Sequence, residues 1–79
     1  MPPVTGAQMR AARALLRWTA ETLAEKSKVG VATIRRAEGQ DGDTRMTAAN
    51  AQAIRAALEA GGVTFIDSNG AGPGVRLRA

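Results

Sequence analysis

The chain has 79 residues, 44% of them apolar and 23% charged, with a net charge of +4. That length supports one small domain, and because seventeen of the apolar residues are alanines, eighteen larger ones must seal a thin core without enclosing a deep cofactor pocket. Cysteine, histidine and tyrosine are absent, which excludes a disulfide frame, thiol chemistry, the usual general base and the commonest metal ligand.

The first amphipathic segment predicts a helix over 6–17. Thr5 and Gln8 make a capping box, and Val4 with Met9 makes a hydrophobic staple. Met9, Ala12, Leu15 and Leu16 recur at helical spacing as the inward face. Trp18 then interrupts the pattern. It is expected to pack between two helices rather than to stack on a base. Thr19 caps a second helix over 20–26, with Glu21 in the first turn, where the helix dipole favours an acid. Leu23 and Ala24 are its inward positions.

After the break Ser27-Lys28-Val29-Gly30, a third helix over 31–38 ends at Gly39. Its apolar side is Ile34 and Ala37, and Arg35 and Arg36 point elsewhere. The polar stretch 39–45 is a loop. Thr47 and Asn50 open a fourth helix over 48–60, with Ala51, Ile54, Ala57 and Leu58 inward and Gly61-Gly62 as its stop. Val63-Thr64-Phe65-Ile66 is β-branched and aromatic and reads as a strand. A glycine-rich loop follows. The alternating Val75-Arg76-Leu77-Arg78 is a second strand, with Val75 and Leu77 on one face and both arginines on the other.

No apolar run approaches the ~18 residues of a membrane span, and the N-terminus lacks a basic segment followed by an apolar one. A cytoplasmic location without membrane attachment is therefore expected. Residues 1–39 hold seven basic and three acidic side chains, while the remainder is neutral. Charge confined to one half suggests a polyanionic partner; the other reading is a generally arginine-rich proteome. Gly70-Ala71-Gly72-Pro73-Gly74 lies between strands and lacks the lysine of a phosphate loop. Asp41-Gly42-Asp43 lacks the closing glutamate of a calcium loop. With no convergent carboxylate pair either, neither an enzyme nor a bound cofactor or metal is expected.

Two short helices about four residues apart, the second carrying Val31, Ala32, Thr33, Arg35 and Arg36, are what a helix-turn-helix requires. A plain helical hairpin in a small bundle satisfies the same spacing. The fuller pattern is Met9, Ala12-Arg13, Thr19, Leu23-Ala24, Ser27, Val29, Thr33-Ile34 and Glu38. Over Gln8 to Gly39 it resembles the XRE-type helix-turn-helix family, the class of the lambdoid phage repressors. The segment 65–78 looks like a C-terminal extension found on many small bacterial regulators of this type. The chain departs from the family at Ala20, where a glutamine that touches the DNA backbone is usual, and at Lys28, where the turn glycine is usual.

The resemblance implies a mainly α fold: a four-to-five-helix, lambda-repressor-like helix-turn-helix domain with a C-terminal β-hairpin. Residues 1–62 would form the DNA-binding domain and 63–79 the hairpin extension. It also implies that Arg13 and Glu38 form a structural ion pair fixing the third helix. The expected function is a sequence-specific regulator, a repressor, of double-stranded DNA. Lys28 would take a backbone contact. Val31 and Ala32 would meet thymine methyls, Thr33 a base edge or a phosphate, and Arg35 or Arg36 a guanine. A homodimer on a palindromic operator is expected, joined through Phe65, Ile66, Val75 and Leu77. The alternative is a hairpin packed on its own fourth helix. The competing function is a protein-interaction module, such as an antitoxin or the partner of another regulatory protein.

Overall fold

The computed structural model describes residues 3–67 and 70–78. Four helices precede a two-stranded antiparallel hairpin: α1 (Gly6–Leu16), α2 (Ala20–Ser27), α3 (Val31–Glu38), α4 (Ala48–Gly61), β1 (Val63–Ile66) and β2 (Gly74–Leu77). The order and types are those the sequence predicts. A threonine in extended conformation opens three of the helices. Thr5, Thr19 and Thr47 accept from the amides of Gln8, Thr22 and Asn50 at 3.1, 3.0 and 3.1 Å. Gln8 completes the box at α1 by accepting from the Thr5 amide at 2.9 Å. Helix α1 stops at Leu16, one residue short of the expectation, because Arg17 turns left-handed at φ 59°. Helix α4 runs one residue further, to Gly61, before Gly62 ends it at φ 115°.

One core joins every helix and the hairpin. Met9, Ala12, Leu23, Ile34, Ala37, Ile54 and Leu58 are buried together with Val63 and Phe65 of β1. Leu15 does not join them and stays 40% exposed. It lies about 60° round the helix beyond Ala12, outside the stripe centred on Met9 and Ala12. Trp18 packs at the margin of the core, with the Lys26 ammonium 5.3 Å from its ring centre. Gly61 leaves room for that ring: a Cβ there would stand 2.7 Å from Trp18 Cζ2. Among the described residues no helix is long and apolar enough to cross a membrane.

The hairpin register pairs Val63 with Leu77, Thr64 with Arg76, Phe65 with Val75 and Ile66 with Gly74. Directly paired residues share a face, so Val63, Phe65, Val75 and Leu77 look the same way, and Ile66 looks the opposite way with Arg76. The inner face lies on α1 and α4 of its own chain. The four residues expected at a dimer interface are placed differently within the chain. Phe65 is buried in its own core, Val75 is packed against that core, and Ile66 stands half-buried on the other face. Leu77 alone of the four remains exposed, at 49%.

The N-terminus of α1 ties the loop after α3 to the hairpin. The Gly6 and Ala7 amides donate to the carbonyls of Gly42 and Asp41 at 2.9 and 3.2 Å, which satisfies two donors that a helix start leaves open. The buried Gln8 Nε2 donates to the carbonyls of Gly74 at 3.0 Å and Ile66 at 3.3 Å, gripping the last rung of the hairpin. The backbone of α3 and its following loop passes so close to Gly6 that a Cβ there would sit 1.7 Å from the Gln40 oxygen and 2.6 Å from that of Ala37. Gly6→Ala should therefore destabilise the domain by about 1–3 kcal/mol, although alanine is the better helix former by about 1 kcal/mol. Urea melts check this, and a stabilised variant would refute the close approach.

Candidate nucleic-acid interface

Helices α2 and α3 are each eight residues long, separated by Lys28, Val29 and Gly30. Leu23 pins α2 to the core, while Ile34 and Ala37 pin α3. Val29 inserts into the core between them, and its amide donates to the Ser27 hydroxyl at 3.2 Å. Lys28 adopts the left-handed conformation at φ 64°, so its side chain leaves the turn into solvent. A lysine there costs roughly 1 kcal/mol relative to glycine. On α3, Ala32, Arg35 and Arg36 are exposed and Val31 and Thr33 half-buried. Positions 32, 35 and 36 stand at the i, i+3, i+4 spacing of one helical face.

Two arginines of α1 fasten the C-terminal end of α3. Arg13 meets the Glu38 carboxylate in a two-pronged pair, Nε to Oε2 at 2.7 Å and Nη2 to Oε1 at 2.6 Å. Its Nη1 donates to the Trp18 carbonyl at 2.9 Å. Hydrogen bonding to Glu38 raises the Arg13 pKa above its ordinary value, against the opposing effect of burial. Arg10 donates to the carbonyl of Glu38 and, at 3.2 Å, to that of Gln40, and also reaches Asp41 Oδ1 at 2.5 Å. The last carbonyls of a helix are its negative end, and a guanidinium satisfies them in both charge and hydrogen bonding. Arg13 is thereby taken up within the fold, and Arg10, although 41% exposed, is tied to the end of α3 and the loop after it.

The remaining cations near α3 differ in their surroundings. Arg35 Nη2 donates to Oε2 of Glu21, across the solvent side of α2 and α3. The pKa of Glu21 is lowered, first by a hydrogen bond from its own backbone amide and then by Arg35. Arg36 lines a groove of about 280 Å³ with Thr33, Gln40, Arg45, Thr47 and Asn50. Neither Arg36 nor Arg45 forms an ion pair among the described residues. Arg45 is itself left-handed at φ 59°, and its amide donates to Asp43 Oδ1 at 2.8 Å. Two unpaired guanidinium groups thus lie beside the N-terminus of α4, an arrangement suited to phosphate oxygens.

The structure brings Val31, Ala32, Thr33, Arg35 and Arg36 onto one short helix, with Lys28 at its approach. It adds Arg45, Thr47 and Asn50, which lie in the half of the chain that carries no net charge. The available signal was an arginine two residues before a threonine N-cap. Arg10 and Glu21 carry no motif that announces their partners. Among the described residues no three Asp, Glu, His or Cys side chains cluster as a metal site would require. No protein-family model matches the chain, and no curated protein matches it.

Glu38 is 8% exposed at the side chain and Arg13 22%, so deleting either partner strands a shielded charge. Arg13→Ala and Glu38→Ala should each lower stability by about 3–5 kcal/mol, and the double variant by less than their sum. Denaturant melts read this directly. Strict additivity would mean that the pair contributes nothing beyond its separate members.

Proposed function

We propose that the chain is a sequence-specific double-stranded DNA-binding regulator with a lambda-repressor-like arrangement of its helices, of the XRE type that its sequence resembles. The single observation that carries this reading is the setting of α3. The helix is clamped at its C-terminal end by Arg10 and Arg13, yet it turns Ala32, Arg35 and Arg36 to solvent. Lys28 and Arg45 flank it. A major groove about 12 Å wide accepts one such helix. The surface chemistry is complementary: small apolar and hydroxyl side chains for base edges, and guanidinium groups for phosphates and guanine.

Within this reading the roles divide. Val31 and Ala32 face thymine methyls, and Thr33 a base edge or a phosphate. Arg36 shares its groove with Arg45 and the start of α4, which favours a phosphate. Arg35 stands outside that groove and is the candidate for guanine. An eight-residue helix reads few base pairs, so a homodimer on half-sites about 34 Å apart supplies the rest of the specificity. Leu15 and Leu77 are the exposed large hydrophobic residues among those described, and they favour one end of the molecule for self-association. Leu15 precedes the Leu16 side chain that meets Gly61, and Leu77 pairs with Val63 just beyond it.

Selection of bound sites from random duplex DNA tests the proposal. On the selected site, Arg35→Ala should weaken binding by about 1–3 kcal/mol, whereas Arg36→Ala should weaken binding to every duplex alike and reduce the salt slope by about one, both with little change in melting temperature. With Arg10 and Arg13 tied to α3 and Arg35 assigned to a base, Lys28, Arg36 and Arg45 remain for phosphates on each protomer. About six contacts per dimer give a slope of log affinity against log salt of about −5. Recovery of no sequence, or a flat salt dependence, would favour the protein-interaction reading instead.

A further inference from the structure

The ion pair between Glu21 and Arg35 is poorly suited to stabilising the fold. Its side chains are 63% and 58% exposed, and solvent screens such a pair until it adds little. Its cost to the surface is larger. Lys28, Arg35, Arg36 and Arg45 make the surroundings of α3 cationic, and Glu21 sets a carboxylate among them. Against a polyanion, a fixed negative charge there weakens contact with every duplex, whatever its sequence. The pair does constrain one thing, the pose of the Arg35 guanidinium. Glu21 engages one N–H of Nη2, which leaves the second Nη2 N–H to form a two-pronged edge of the planar fork with Nη1 or Nε.

We propose that Glu21 is a specificity-determining positioning residue, holding Arg35 in one outward pose and withholding its guanidinium from phosphates. This rests on the DNA-binding reading above. A flexible arginine finds phosphates beside any base pair, and the affinity so gained carries no sequence information. An arginine already paired with a carboxylate gains little from exchanging it for a phosphate. The N7 and O6 acceptors of guanine can be met by its free donors while the carboxylate stays in place. Glu21 thus lowers affinity for arbitrary duplex more than for the proper site. Its place in the first turn of α2, where an acid is electrostatically favoured, fixes the buttress to the scaffold rather than to α3 itself.

The test uses the whole chain and the variants Glu21→Gln, Arg35→Ala and the double variant. Binding to the selected site and to a random duplex is measured over a range of salt. Glu21→Gln should tighten binding to random duplex about fivefold at low salt, roughly the worth of one unit charge near 4 Å in water. Its salt slope should steepen by about one, the mark of an added phosphate contact. Affinity for the selected site should change less, so that the ratio of the two falls. In the Arg35→Ala background the gain should shrink below twofold. Melting temperatures should fall by no more than a few degrees, the loss expected for neutralising an acid in a first helical turn. An equal gain on both DNAs, or one that persists without Arg35, would reduce Glu21 to plain repulsion and overturn the proposal. A parent that discriminates between the DNAs, with a Glu21→Gln variant that behaves identically, overturns it as well. A parent that binds no duplex overturns the DNA-binding reading itself, and the proposal with it.

Discussion

The Arg13–Glu38 pair is the constraint on which the candidate interface depends. Helix α3 has eight residues, fewer than an isolated helix needs to hold together in water. Nothing in its own sequence fixes its direction. Two apolar residues, Ile34 and Ala37, set which side faces the core, but two contacts leave a short rod free to rock. The two-pronged pair with Arg13 and the Arg10 contacts to the final carbonyls remove that freedom. A planar guanidinium meeting a carboxylate through two parallel hydrogen bonds fixes orientation as well as distance. The side chains at 32, 35 and 36 inherit their placement from α1.

Helix α1 therefore acts at both of its ends and on two elements. Its arginines hold the C-terminal end of α3, while its first turn is threaded against the loop that leaves α3 and against the hairpin. Gly6 allows the backbones to approach, and Gln8 spends one amide side chain on its own helix cap and on two carbonyls near the end of the chain. The hairpin could not stand alone, since two strands are marginal in water. It is stable here because β1 contributes Val63 and Phe65 to the common core and because Arg55 lies over the Phe65 ring, 5.0 Å from its centre. The two strands are thus continuous in packing with the helices before them.

Local chemistry made the elements legible. Threonine at 5, 19 and 47 marks three helix starts, glycine at 39 and 61–62 marks two ends, and the β-branched run at 63–66 marks the strand. The inward faces of α3 and α4 follow from periodicity alone. What escaped the sequence is what depends on distant partners. Leu15 fits the helical repeat yet misses the core, because the burial stripe is set by what faces α1 rather than by α1. Arg10 reads as a surface cation until α3 is placed beside it. Arg45 sits in a neutral half of the chain, and only the turn from α3 into α4 sets it next to Arg36. Gln8 was legible as a capping residue, but its grip on Ile66 and Gly74 spans more than fifty residues and leaves no local trace.

That grip has a mechanical corollary. Gln8 holds both strands at the Ile66–Gly74 rung, the last of the hairpin ladder. Closing a longer loop over a clamped base is inexpensive, about 0.6 kcal/mol for each doubling of its length. A longer connection above this rung should therefore leave the register below it in place. The connection between those strands is where a fluorophore or an affinity tag can be inserted while the candidate face on α3 is left untouched.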